Sequence, residues 1–221
     1  MEDIPGYRLA IQGQYDALYA GLTPDAARAR HAALAPYLAR VIDALELPDE
    51  GYHLDLGCGD GLVALAVARL RPQMTVVGFD ASERALGLAR DLARAEGLRN
   101  AAFAPGDAEA PPDGQFERMS ALSVFSLLAD KRAALAAWRR CTLPGTKLVL
   151  TDGFAASGGT YGAGATTLDG FAQLARETRW RILHREDLTP LVTKLNAARA
   201  WTWPEYVRPG TKYGLVVMAP G

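Results

Sequence analysis

Cysteine is almost missing from these 221 residues. Only Cys58 and Cys141 occur, too few for a disulfide framework, and neither belongs to a spaced ligand set of the kind structural zinc needs. Histidine is nearly as scarce, with His31, His53 and His184 scattered along the chain, and no metal site is expected. Neither sign of charge is in excess. The 24 basic and 25 acidic residues give a formal net charge of −1 and an isoelectric point near 6.3, so electrostatics recommends neither a nucleic acid nor an anionic membrane as a partner. The local basic clusters, Arg139-Arg140 and Arg176, Arg179, Arg181 and Arg185, read as solvated helix and strand faces. Uninterrupted apolar runs of about 18 residues, the length that spans a bilayer, are absent. The N-terminal Met1-Glu2-Asp3-Ile4-Pro5 has no basic region followed by an apolar stretch, so the sequence reads as cytoplasmic.

What the chain does have is an ordinary globular composition, 49% hydrophobic and 22% charged, at a length that suits one α/β domain with decorations. Its most informative stretch is Leu54-Asp55-Leu56-Gly57-Cys58-Gly59-Asp60-Gly61. An apolar segment, 52–56, runs into three glycines at alternate positions, and a helix-compatible segment follows over 62–70. Strand, tight turn and helix in that order let a ligand approach backbone that carries no Cβ, beside the N–H groups of a helix start. The spacing is G-x-G-x-G, which differs from the G-x-G-x-x-G of dinucleotide folds. A second β-branched run, 75–79, ends on Asp80, nineteen positions past Gly61. That matches the roughly 20-residue interval at which an acid meets a ribose in nucleotide-binding βαβ units. Ser82 then stands at an N-cap position, and Gly97 closes the helix that follows. A third segment, Pro105-Gly106-Asp107-Ala108-Glu109, comes after another short apolar run.

These three segments, in this order over some 55 residues, resemble the class I S-adenosylmethionine-dependent methyltransferases, whose first motif has the form D/E-x-G-x-G-x-G. The resemblance implies a doubly wound, seven-stranded, mostly parallel α/β sheet with an antiparallel edge strand. It implies S-adenosylmethionine as cofactor and S-adenosylhomocysteine as product. It assigns Asp55, Gly57, Cys58 (through its backbone) and Gly59 to the cofactor cradle, Asp80 and Ala81 to the ribose, and Asp107 with the backbone N–H of Ala108 to the adenine edge. Ser123, after the fourth strand, completes the set. The segment Leu143-Pro144-Gly145-Thr146-Lys147-Leu148-Val149-Leu150 also resembles the L-K-P-G-G-x-L-V-L of the family, with Thr146 in place of the second glycine.

Strand-like and helical segments alternate from about residue 52 to 154, as a doubly wound sheet requires. The fourth strand is expected over 116–125, a helix capped by Asp130 next, and the fifth strand over 147–151. Residues 153–170 are a loop by composition, dense in glycine, with Tyr161 a lid candidate. Helical, strand-like, helical and strand-like segments follow, ending with 213–218. Residues 1–50 form a helical cap and 51–221 the cofactor-binding domain. Thr23-Pro24-Asp25 opens one cap helix as N-cap, N1 proline and first-turn acid. Tyr15 and Tyr19 share a face one turn apart. Gln14-Tyr15-Asp16 resembles the short element by which an N-terminal helix closes over the cofactor in many small-molecule methyltransferases; the Tyr15 phenol either reaches the cofactor carboxylate or packs the helix onto the core.

In-line transfer of an activated methyl needs placement and a dry cavity, with a general base only if the acceptor is protonated. Base candidates are Asp152, at the end of the fifth strand, and His184, in the edge region; each also has a plain structural reading as a loop cap or a strand residue. His31 and His53 lie away from the ligand end. The Asn/Asp-Pro-Pro-aromatic motif of base and amino-nitrogen methylases is missing, with Ser123-Val124-Phe125-Ser126-Leu127 in its place. Trp201, Trp203 and Tyr206 either wall an apolar cavity or pack the sheet edge. The resulting expectation is methylation of the O, N or C atom of a small, partly apolar molecule by a monomer or homodimer. A catalytically silent cofactor-binding module and a nicotinamide-dependent oxidoreductase are the alternatives.

Overall fold

The structure, a computed structural model, describes residues 4–155, 166–198 and 211–221. Three helices come first: α1 (Ile4–Tyr19), α2 (Pro24–Ala33) and α3 (Ala35–Leu45). The Thr23 side chain accepts from Ala26 N at 3.2 Å, as its N-cap position predicts, and Pro36 marks the break that separates α2 from α3. The sheet domain then runs β1 (Glu50–Leu56), α4 (Leu62–Leu70), β2 (Gln73–Asp80), α5 (Glu83–Ala95), β3 (Ala101–Pro105), β4 (Phe116–Leu122), α6 (Lys131–Arg140), β5 (Thr142–Ala155), α7 (Leu168–Glu177), β6 (Trp180–Asp187), α8 (Thr189–Ala197) and β7 (Thr211–Pro220). Ser82 and Asp130 cap α5 and α6 through hydrogen bonds from Ala85 N and Ala133 N. Gly97, with φ +69°, terminates α5 as expected.

The seven strands lie in the order β3-β2-β1-β4-β5-β7-β6. All described pairs are parallel except those of β7, which runs antiparallel to both β5 and β6. The antiparallel strand therefore sits one place in from the edge, and the edge strand itself, β6, shares the direction of the parallel set. This refines the sequence expectation of an antiparallel edge. Alternation of side chains sorts the sheet's apolar residues into two layers. One packs Val76, Val149, Leu215 and Val217 beneath α3, α4, α5 and α8; the other packs Leu54, Leu56, Leu148, Leu150 and Met218 beneath α6 and α7.

Strand boundaries moved where tertiary pairing overrode local composition. The fourth strand stops at Leu122, because Ser123 turns with φ +55° into a single 3-10 turn, Phe125–Leu127. The fifth starts at Thr142 and continues to Ala155, since β7 supplies partners for residues of glycine-rich character. Tyr161, Trp201, Trp203 and Tyr206 lie outside the described residues. Chain order reverses between β1 and β4, and at such a switch point the strand ends diverge and leave a crevice.

Candidate functional site

The crevice holds a cavity of about 460 Å³. Its floor is the turn after β1, where Gly57, Gly59 and Gly61 all have positive φ (+66°, +54° and +85°), conformations that side-chain-bearing residues rarely take. A Cβ on Gly57 would lie 2.7 Å from Val124 Cγ2, and one on Gly59 would lie 2.6 Å from the Tyr19 hydroxyl. Three successive donors of the loop are already committed within the protein. Gly57 N and Cys58 N both donate to the Phe79 carbonyl (2.7 and 3.1 Å), and Gly59 N donates to Asp80 Oδ2 at 2.7 Å. The turn thus offers a ligand its missing side chains and its carboxylate neighbours. Cys58, expected to meet the cofactor through its backbone, has its N–H taken by the Phe79 carbonyl.

Asp80 ends β2 and accepts from Gly59 N and, through Oδ1, from Ser82 N at 2.8 Å. Burial pushes its carboxyl up, with those backbone bonds opposing. Asp107 follows β3; its Oδ1 accepts from Glu109 N at 2.8 Å and its Oδ2 lies 3.1 Å from Arg8 Nε. Arg8 also donates to Glu109 Oε2 at 2.9 Å, and Ser82 Oγ donates to Asp16 Oδ1 at 2.5 Å. Helix α1 is thereby strapped across the cavity at two points, with Tyr15 and Tyr19 on its inner face.

A smaller cavity, about 60 Å³, adjoins the first and shares Tyr19, Gly57, Gly59, Leu122 and Ser123 with it. Its walls add Asp55, Cys58, Asp60, Arg30 and Tyr37. Arg30 and Asp60 form an ion pair, His31 Nε2 lies 3.1 Å from the same Asp60 oxygen, and Asp60 is 1% exposed. Burial pushes the Asp60 carboxyl up, but the contacts with His31 and Arg30 outweigh it and hold the group below its usual range. Arg30 Nε and Asp60 Oδ2 are buried without a partner. Tyr37 Oη lies 2.5 Å from Thr151 Oγ1, and Tyr213 Oη pairs with Ser123 Oγ.

Of the sequence-assigned residues, Tyr15, Gly57, Gly59, Asp80, Ala81, Asp107, Ala108 and Ser123 converge on the large cavity, and Asp55 and Cys58 on the small one. Burial pushes the Cys58 thiol well up, so it is no nucleophile. The base candidates are not brought in. Asp152 is buried in β5, accepting from Ser126 N at 2.8 Å and Gly153 N at 2.7 Å, and lines neither cavity. His184 is exposed on the edge strand β6. Residues that sequence reasoning passed over are Arg8, Tyr19, Arg30 and Tyr37. Only the shared helical face of Tyr15 and Tyr19 hinted at any of them.

The chemistry of the walls fits a nucleoside cofactor with an amino-acid tail. Two carboxylates stand at the strand ends where hydroxyls and an amino group would be met, glycines occupy the points of closest approach, and a guanidinium and a carboxylate face the smaller cavity. Among the described residues no cluster of metal ligands occurs, and no helix is long and apolar enough to cross a membrane. A family model described as a methyltransferase domain matches residues 54–145, from the middle of β1 to the start of β5. Demethylmenaquinone methyltransferase of Deinococcus radiodurans is 35% identical over 112 residues, 50% of this chain and 46% of that protein; the chain spans about half the length of the curated relatives it matches. Among solved structures, geranyl diphosphate C-methyltransferase of Streptomyces coelicolor, with S-adenosylhomocysteine bound, is similar at a TM-score of 0.73 and 14% identity over 85% of this chain and 80% of that one. The [4+2]-cyclase SpnF is similar at 0.69 and 21% over 84% and 80%.

Proposed function

We propose that this chain, which a methyltransferase-domain family model matches over residues 54–145, is a class I S-adenosylmethionine-dependent methyltransferase that moves a methyl group from that cofactor to an oxygen, nitrogen or carbon atom of a small, partly apolar molecule. The observation that carries the reading is the convergence of Gly59, Asp80 and Asp107 on one cavity at the switch point of the sheet. Asp80 is placed to accept from ribose hydroxyls and Asp107 from the adenine amino group, while Arg30 and Asp55 serve the amino-acid end. When bound, the cofactor supplies a methyl already activated by sulfonium charge. The protein's own part is then placement and exclusion of water, which together can lower a barrier by several kcal/mol. Leu122, Val124, Leu127 and Leu128 form an apolar wall, and Tyr19 closes the floor from α1.

Asp152 acts in this scheme by holding Ser126, and with it the 123–128 segment that walls the cavity, rather than as a base. An apolar acceptor suits the apolar wall and the likeness to demethylmenaquinone methyltransferases. The protein works as a monomer or homodimer in the cytoplasm. A second reading, a cofactor cavity kept without methyl transfer, is supported by the base candidates Asp152 and His184 lining neither cavity. Incubation with methyl-labelled S-adenosylmethionine and a panel of hydroquinones, phenols and small amines separates the two. Label transfer with release of S-adenosylhomocysteine supports the enzyme, and binding without turnover on any acceptor supports the silent module.

A further inference from the structure

His53, Ser120 and Asp55 form an unbroken hydrogen-bonded chain inside the sheet. The parallel register of β1 and β4 sets Asp55 directly opposite Ser120, and His53 lies two residues earlier in β1, on the same face as Asp55. Ser120 Oγ donates to Asp55 Oδ1 at 2.6 Å, and His53 Nε2 lies 3.0 Å from the same hydroxyl. With the Ser120 hydrogen committed to the carboxylate, His53 Nε2 must be the donor, which leaves Nδ1 as a bare lone pair; Nδ1 is indeed buried without a partner. All three side chains are at most 2% exposed. A polar chain at this depth is costly unless something holds it there. An apolar pair would pack the same strands.

The end of the chain faces the smaller cavity. Asp55 Oδ2 accepts from Ala64 N at 3.1 Å, capping α4, whose N-cap Gly61 has no side chain to do so. Asp55 also lines the smaller cavity, whose other charged walls are Arg30 and the Asp60 it pairs with. A carboxylate and a guanidinium across a cavity of this size complement an α-amino acid zwitterion. We propose that His53 and Ser120 are positioning residues that hold the Asp55 carboxylate for the ammonium of the cofactor's amino-acid end. The inference rests on the cofactor assignment above.

The groups that face Asp55 are Asp80 from β2, Asp60 and Cys58 from the glycine loop, Arg30 from α2, Tyr37 from α3 and Tyr19 from α1; Arg118 acts on His53. Burial raises Asp55 to about 7, and the Ser120 bond opposes that rise. Loss of the hydroxyl therefore moves the pH at which the site captures an ammonium.

The test is calorimetric titration with S-adenosylhomocysteine and with 5′-methylthioadenosine, the same nucleoside without the amino-acid end, between about pH 5.5 and 8.5. The ratio of the two affinities isolates Asp55 from Asp80. In the wild-type protein the ratio should fall as pH drops through 7. In Ser120→Ala its midpoint should rise by about one pH unit, so that S-adenosylhomocysteine binds about fivefold more weakly at pH 7 while 5′-methylthioadenosine is unaffected. Ser120→Thr, which keeps a hydroxyl, should restore the wild-type midpoint. If Ser120→Ala fails to fold, His53→Leu carries the test, with a smaller upward shift expected. A folded variant with an unmoved midpoint, or one that weakens both nucleosides equally, overturns the proposal. Two binding curves without pH dependence overturn this inference alone, whereas no binding of either nucleoside overturns the cofactor assignment.

Discussion

The hydroxyl of Tyr19 lies 2.6 Å from where a Cβ on Gly59 would be, so the last turn of α1 is seated on a loop residue that has no side chain to refuse it. A ligand clash is the usual reason for glycine in such a turn. Here the protein itself also uses the space. Gly59→Ala should lower the thermal midpoint as well as the affinity for S-adenosylhomocysteine, because the backbone has φ +54° and the phenol must move. Combining it with Tyr19→Ala should show coupling of about 0.5–3 kcal/mol in a double-mutant cycle. Additive losses would mean that Tyr19 and Gly59 do not share this contact in solution.

The strap of α1 gives a second expectation. Arg8 bonds Asp107 and Glu109, and Asp16 bonds Ser82, so the helix is fastened to two of the segments that face the ligand. Hydrogen exchange over residues 7–20 should slow on addition of S-adenosylhomocysteine, together with the loops at 57–61, 80–82 and 105–109. Arg8→Gln should speed exchange in α1 of the free protein, with a smaller difference at high salt, since the Arg8 pairs are partly exposed. Protection confined to the loops would identify α1 as packing rather than lid.

How stability depends on pH should show two opposed limbs. Burial, aided by Arg118, lowers His53 to about 3, so between the unfolded value near 6.5 and that point the unfolded chain binds a proton the folded one refuses. This contribution to stability is lost as pH falls below about 6.5. Burial raises Asp152 to about 6, so the folded protein keeps a proton that the unfolded chain releases above about 4. The stability Asp152 contributes is present below that point and lost as pH rises to 6. Urea midpoints between pH 4 and 8 should accordingly fall less steeply on acidification in His53→Leu than in wild type. Asp152→Asn should make the decline between pH 4 and 6 shallower, with the part due to Asp55, which burial raises to about 7, remaining. Parallel curves for wild type and both variants would contradict the burial described for these groups.

Much of this site could be read from the chain because its cavity-lining parts are local. Gly57, Gly59, Asp80 and Asp107 each sit at the end of a strand within a few residues of a turn, and turn chemistry is written in short windows. Arg8, Tyr19 and Arg30 could not be read in that way. They reach the site only because the three N-terminal helices dock on the sheet, and docking depends on contacts thirty or more residues away. His53 shows the same limit within one strand. In the sequence it reads as a residue at the start of the first strand, away from the ligand end, but it falls in the middle of β1, where register brings it to Ser120 and so to Asp55. The interior position of β7 is likewise a pairing choice that alternation of side chains does not encode.

The central claim is that the cavity at the β1–β4 switch point binds S-adenosylmethionine through Asp80, and calorimetric titration of wild type and Asp80→Ala with S-adenosylhomocysteine tests it most directly, with NAD as the control ligand. The account predicts one-to-one binding of S-adenosylhomocysteine to the wild-type protein, a loss of about 1.5–3 kcal/mol in a variant that still melts cooperatively, and no binding of NAD. Equal affinity in wild type and Asp80→Ala, or tighter binding of NAD than of S-adenosylhomocysteine, would contradict it.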